Sequence, residues 1–395
     1  MTTLFSLFIL FFSSALRFIC FLRIDYLAEI RKRYTNSTKE EKKMILDEFC
    51  SNCGYNRKYA IRLINSKEKP KTVWKRPGRK RKYDDPQIFN FLKKLWVSTN
   101  LICSKRLKAI IPLWIEYYSG ELSESNKELL LGISAATIDR LLWRIRKRYK
   151  RSGFTTTKPG SLIRKQVPIK TNQWDERKPG FLEADTVAHC GGSVSGEFVH
   201  TVNTVDIATG WIESRAIWCK GQRATFEAIS SIEAVLPFKI KGFDSDNGGE
   251  FLNWHLLAYF TKRKRPVQYT RSRAYKKNDN AHIEGKNWTH IRQYLGYHRF
   301  EQKQTVPLLN DLYTNEWSHF FNFFIPSAKI ISKQRVASKI IKKLDSPKTP
   351  FERLLTSEDI SKKTKKELMK TRHNLNPFKL QNALNSKIKK ILSLV

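Results

Sequence analysis

The sequence predicts a mixed α/β core of five strands with helices, preceded by all-α units and followed by a helical, basic C-terminal region. Three observations point there. Strand-like runs from Phe181 to Trp218 form a meander and then alternate with helical runs as far as Leu295. Residues 35–66 and 84–150 carry apolar residues at helical spacing around glycine-containing turns. Residues 301–395 are rich in lysine, with Pro and Ser breaks.

Composition narrows the function. The 395 residues hold 74 Lys+Arg against 36 Asp+Glu, a net charge of +38. Such a surplus calls for a polyanionic partner, and nucleic acid is the usual one. An apolar fraction of 41% and ten tryptophans argue against wholesale disorder. Of six cysteines only Cys50 and Cys53 form a CxxC, and no second Cys or His pair completes four zinc ligands. A reducing cytoplasm is expected.

The elements follow in order. Residues 1–34 open with a hydrophobic run that no Lys or Arg precedes and Arg17 interrupts. It reads as an extension from an early start codon rather than a membrane anchor. Residues 35–66 form a helix-turn-helix outline. Ser37/Glu40 and Thr38/Glu41 have capping-box spacing, Ser51–Gly54 is the turn, and Arg57 and Lys58 face outward on the second helix. Residues 67–83 are a basic arm whose Arg76, Arg79, Lys80 and Arg81 fit a minor groove. Residues 84–150 repeat the outline. Helices begin at Pro86, Ser104 and Glu124, and a last one, capped by Ser134, presents Arg140 and Arg144 to DNA. Residues 151–174 are a linker.

In the core, residues 175–300, strands are expected at Phe181–Ala188, Phe198–Ile207, Trp211–Trp218, Phe238–Phe243 and Val267–Thr270. Helices are expected at Arg223–Val235, Phe251–Lys262 and Asn280–Leu295. Asp185 lies in the first strand, Asp246 just past the fourth, and Glu284 in the first turn of the last helix. If the first and fourth strands are neighbours, Asp185 and Asp246 converge. Glu183 rivals Asp185, while Asp244 and Glu250 flank Asp246. Carboxylates gathered in a basic chain call for a hard cation, Mg²⁺ or Mn²⁺, able to serve phosphodiester chemistry.

Glu183-Ala184-Asp185-Thr186, Asp246-Asn247-Gly248 and Glu284 at a helix start resemble the DDE integrase core shared by retroviral integrases and bacterial insertion-sequence transposases. The segment Tyr269–Tyr297 resembles the transposase members. The resemblance implies an RNase H-like fold and a metal-dependent polynucleotidyl transferase that cuts element ends and joins them to target DNA. Asp185, Asp246 and Glu284 would be its catalytic and metal-binding residues. Retroviral integrases carry an N-terminal His/Cys zinc unit and this chain does not, which favours the transposase branch. Lys276, Lys277, Lys286 and Arg292, around Glu284, are expected to hold phosphates. His282 is open between a DNA contact and a cap.

The expected partner is double-stranded DNA, at element ends and target, with no small-molecule substrate. Pairing two ends implies a homo-oligomer, at least a dimer. Two other classes stand beside this one: a sequence-specific DNA-binding regulator with an inactive core, and an RNase H-like nuclease that cuts without joining. The aromatic cluster Trp317, Phe320, Phe321, Phe323 and Phe324 reads first as core and second as a base-stacking surface.

Overall fold

Local capping sets the first helices. The computed structural model describes residues 26–66, 82–147, 149, 176–272, 281–336 and 339–395. Helix α1 covers residues 26–35, α2 Lys39–Cys53 and α3 Arg57–Asn65. Thr38 and Glu41 close the capping box of α2, and Asn56 caps α3 by accepting the Lys58 amide. Gly54 ends α2 at φ 66°, the left-handed conformation that glycine adopts without a Cβ penalty. Ile30, Ile45, Leu46, Phe49, Ala60 and Ile64 bury a core of their own. The chain divides into two compact units between residues 80 and 81, and these helices belong to the first.

The second unit opens with α4 (Pro86–Ser98), α5 (Ser104–Trp114), α6 (Glu124–Leu131) and α7 (Ala135–Arg146). Asp85, Ser123 and Ser134 each accept a first-turn amide of the helix they cap.

A five-stranded sheet follows. It contains β1 (Phe181–Ala188), β2 (Val199–Asp206), β3 (Ile212–Trp218), β4 (Gly242–Ser245) and β5 (Gln268–Arg271). Helices α8 (Gln222–Val235) and α9 (Trp254–Thr261) are interleaved with its later strands. The order is β3-β2-β1-β4-β5. The first three strands are antiparallel, and β4 and β5 run parallel to β1.

Alternation along β1 assigns its side chains to two layers. Leu182 and Ala184 join Ile229, Ile232, Phe243 and Phe260 in the core that includes α8 and α9 residues. Val187 joins the opposite core with Val199, Ile212 and Ile291. Glu183 and Asp185 share that second face.

The fourth strand departs from expectation. The alternation in Phe238-Lys239-Ile240-Lys241 predicted Phe238–Phe243, but pairing with β1 begins only at Gly242, opposite Phe181. Gly180, at φ 113°, turns the chain away before β1, and its carbonyl accepts the amides of Lys241 and Gly242. Residues 238–241 therefore have no strand of β1 to pair with.

Helix α10 (Ala281–Lys286) continues through a π-helical stretch, Asn287–Arg292, into α11 (Gln293–Leu295). Helices α12 (Thr305–Leu312) and α13 (Ser318–Phe324) then pack against β3 at the sheet's edge. Trp317, Phe320, Phe321, Phe323 and Phe324 are each at most 2% exposed and join α4–α7 residues in one core. Core packing, not base stacking, accounts for this cluster.

The C-terminal region is not wholly helical. Strands β6 (Ile330–Val336) and β7 (Lys339–Leu344) form a separate antiparallel hairpin before α14 (Pro350–Thr356), α15 (Lys362–His373) and α16 (Pro377–Leu392). Among the described residues no helix is long and apolar enough to cross a membrane.

Candidate active site

The parallel ladder between β1 and β4 sets the site. Glu183 is in register with Asp244 and Ala184 with Ser245. One step further along both strands lie Asp185 and Asp246, which brings them side by side where β4 ends. Burial, then the Asp246 charge, pushes the Asp185 carboxyl up to about 7. Asp246 is likewise raised, by burial and then by Glu250.

Each carboxylate is oriented by specific donors. The Thr186 amide donates to Asp185 Oδ1 at 2.7 Å, and Asn287 Nδ2 donates to Asp185 Oδ2 at 2.7 Å. Asn287 Oδ1 accepts from Asn203 Nδ2 at 2.7 Å, and Asn203 Oδ1 accepts from Ser214 Oγ at 2.9 Å. A polar chain thus runs from β3 through β2 and the π-helical stretch to Asp185. The Gly248 amide holds Asp246 Oδ1 at 2.9 Å.

The flanking acids separate into two kinds. Asp244 is buried and accepts from Thr270 of β5, so it ties strands together. Glu183 is buried and accepts the Ile283 amide at 3.1 Å, which fastens the start of α10 to β1. Glu250 instead joins the site. Its Oε1 accepts from Thr186 Oγ1 at 3.0 Å and from Lys220 Nζ at 2.7 Å. Burial alone would raise Glu250, but Lys220 and Thr186 hold it below the ordinary carboxylate range. Gly248 permits this approach: a Cβ there would stand 2.5 Å from Glu250 Oε2, a position already pinned by Lys220.

Lys220 is the cation of the cluster. Against burial, Glu250 first and then Asp246 and Asp185 keep its ammonium charged. Cys219, immediately before it, takes φ 56°, a left-handed backbone that non-glycine residues rarely adopt.

The donor set of Asp185 and Asp246 is oxygen only, which fits a hard divalent cation such as Mg²⁺ or Mn²⁺ and suits neither zinc nor copper. The two raised carboxyls crowd negative charge that Lys220 offsets only in part and that such an ion would relieve. Among the described residues no group of three His, Cys, Asp or Glu side chains is arranged as a metal site.

Glu284 lies exposed on α10, three residues before Asn287 on the helix that Glu183 and Asn287 hold against β1. His282 is partly buried and lowered to about 4 by burial, then by Lys329 and Lys286.

The expected DNA contacts fall in three groups. Arg57, Lys58, Arg140 and Arg144 are exposed, with Arg57 paired to Asp47 and Arg140 donating to Thr137. Arg292 donates to the Ala188 carbonyl at 2.7 Å and lies over the Tyr297 ring, so it braces the end of β1. Lys286 is lowered to about 7 by burial, then by the neighbouring cations Arg106, Lys329 and Arg353. Arg76, Arg79, Lys80, Arg81, Lys276 and Lys277 lie outside the described residues, as do most of the N-terminal extension, the basic arm and the linker.

Sequence reasoning weighed Glu250 but missed Lys220, Asn287 and Asn203. Asn287 had a signal, since it lies three residues after Glu284 and so shares its helical neighbourhood. Asn203 became visible only through the register that places it opposite Asp185.

The chain belongs to the family of the uncharacterized protein y4rM of Sinorhizobium fredii. The two are 34% identical over 339 residues, which is 84% of this chain and 94% of the relative. No protein-family model matches the chain. Among solved structures it is similar to the catalytic core of HTLV-2 integrase in complex with magnesium. The dimeric form gives 16% identity and a TM-score of 0.28, over 38% of this chain and 90% of that one. The catalytic core of BIV integrase gives 14% and 0.23, over 29% and 68%. Likeness at these scores does not establish a fold; the strand order above stands without it.

Proposed function

We propose that the protein is a DNA transposase or integrase of the DDE type, a metal-dependent polynucleotidyl transferase that cuts element ends and joins them to target DNA. One observation carries this reading: the β1–β4 register puts Asp185, within β1, beside Asp246, just past the end of the parallel strand β4, with raised carboxyls and dedicated donors. The order β3-β2-β1-β4-β5, with three antiparallel strands followed by two parallel ones, supports an RNase H-like core. The net charge of +38 supports a DNA substrate.

Asp185 and Asp246 would hold Mg²⁺ or Mn²⁺; Glu284, exposed on α10 and not grouped with them among the described residues, would be the third carboxylate of the family pattern. Bound there, the ion supplies activation of the attacking oxygen and stabilisation of the leaving oxygen. The protein's own groups fix the geometry. Asn287 and the Thr186 amide orient Asp185, the Gly248 amide orients Asp246, and Lys220 offsets the negative charge of the cluster. Water attacks the phosphodiester at the element's end, breaking its P–O3′ bond to leave a 5′ phosphate and a free 3′ hydroxyl; that hydroxyl then attacks a target phosphodiester in line and displaces the target strand's 3′ oxygen. No step needs a protein nucleophile, so no Ser or Tyr is assigned one. The reaction sits in a prokaryotic cytoplasm, and pairing two ends asks for at least a dimer.

The test uses the DNA that flanks the gene. Labelled duplexes carrying its terminal repeats, incubated with the protein and Mg²⁺, are expected to give joined product. Cut product alone would mean a nuclease, and binding without product would mean a regulator.

A further inference from the structure

The hairpin β6–β7 lies apart from the catalytic core's chemistry and has its own character. Its base is fastened. Lys329 donates to the carbonyls of Ile207 and Ala208, and its amide donates to Asp345 Oδ1 at 2.6 Å. Asp345 pairs with Arg353 at 2.7 Å, and Arg353 donates to the Ser327 carbonyl at 2.9 Å. Beyond that base the two strands pair only with each other.

The hairpin is poorly suited to stand in water alone. Ile330, Ile331, Val336, Ile341 and Leu344 are 50–61% exposed. The pairing sets Ile330 with Leu344 on one face and Val336 and Ile341 on the other, so both faces of the ribbon expose apolar side chains, and two strands without a covered face are marginally stable. Between Ile330 and Leu344 the strands carry Lys333, Arg335, Lys339, Lys342 and Lys343, and no acid. Lys342 and Lys343 are both exposed.

These features together select the occupant. A second copy of the ribbon would bring five cations against five more, so stacking of ribbons is disfavoured by charge. A regular polyanion with an apolar floor meets both needs, and duplex DNA is one. Its major groove admits a two-stranded ribbon, its phosphates meet the basic residues, and its thymine methyl groups meet apolar side chains.

We propose that β6–β7 is a ribbon that enters the major groove of duplex DNA, with Lys342 and Lys343 on phosphates and Ile331 and Ile341 toward base edges. This rests on the reading of DNA as substrate and adds to it a DNA-binding element distinct from the helical units.

The experiment measures affinity of the full-length protein for a labelled duplex as a function of salt, for wild type, Lys342→Ala/Lys343→Ala and Ile331→Ser/Ile341→Ser. Mg²⁺-dependent product from terminal-repeat duplexes and self-association are recorded for the same proteins. The lysine variant is expected to reduce the slope of log affinity against log salt by about 1.8, two phosphates at ~0.9 each. The isoleucine variant should keep the slope and bind roughly tenfold more weakly, in line with the loss of apolar base contacts. Both should melt like wild type, because every substituted side chain is exposed. Wild-type slope and affinity in both variants would overturn the ribbon, as would loss of self-association with DNA binding unchanged, which would assign the face to a second copy. If wild type gives no product while the variants lose affinity as expected, the ribbon stands and the catalytic reading falls.

Discussion

Lys220 Nζ lies 2.7 Å from Glu250 Oε1, and the same ammonium is drawn by Asp246 and Asp185. Lys220 thus offsets charge that a divalent ion would otherwise offset. Lys220→Met should lower stability without divalent ions by roughly 1–2 kcal/mol, less than for a fully buried pair because the side chain is 44% exposed. Mg²⁺ should then raise the melting temperature of the variant more than that of wild type, since binding to the folded state stabilises it. Equal Mg²⁺ shifts in the two proteins would remove Lys220 from this role.

Asn287 is the outer support of Asp185, joined in turn to Asn203. Asn287→Ala should cut strand cleavage about 10–100-fold, the usual cost of losing such a support, with DNA affinity unchanged. Asn203→Ala should act in the same direction and more weakly, and the double variant should be no worse than Asn287→Ala alone. Additive losses would break the polar chain as a unit.

Buried histidines weaken the fold as pH drops. Burial lowers His200 to about 4 and lowers His189 and His290 as well. A base whose folded value lies below its unfolded value leaves the unfolded chain holding more protons. Their contribution to stability is therefore full above about pH 6.5 and is lost as pH drops through the window from there toward 4, while Asp185 and Glu213, each raised to about 7, contribute in the opposite sense over that window. Each histidine contributes about 1.4 kcal/mol per pH unit within it. Urea midpoints between pH 7 and 5 check this, and His290→Gln should flatten the fall by about one histidine's share.

Phe320 is buried against Trp114 and Phe321. Phe320→Ala should cost about 3–5 kcal/mol of stability and leave DNA affinity of the folded protein alone. Lost affinity at unchanged stability would restore the base-stacking role.

Legibility in the sequence followed the range of the interactions that fix each element. The meander was visible because Phe181–Ala188, Val199–Asp206 and Ile212–Trp218 are β-branched runs separated by glycine turns, and the caps Thr38, Asn56, Asp85 and Ser134 act on residues two or three away. The start of β4 was not, because the chain turns at Gly180 and pairing with β1 begins only at Gly242. The hairpin was mistaken for helix because its lysines mimic a solvated helical face, although Ile330, Ile331, Val336, Ile340 and Ile341 were a β-branched cue. At the site, Asp185 within a strand and Asp246 just past one announced themselves as acids in a basic chain. Lys220 did not, because only folding carries the turn after β3 to Glu250.

The central claim is that Asp185 and Asp246 together carry the chemistry. Its most direct test is Mg²⁺-dependent strand transfer by Asp246→Asn on labelled terminal-repeat duplexes, with duplex affinity measured alongside. The account predicts wild-type affinity, because Asp246 is bound to the Gly248 turn and not to DNA, with cleavage and joining reduced to background. Joined product from Asp246→Asn at the wild-type rate would contradict it.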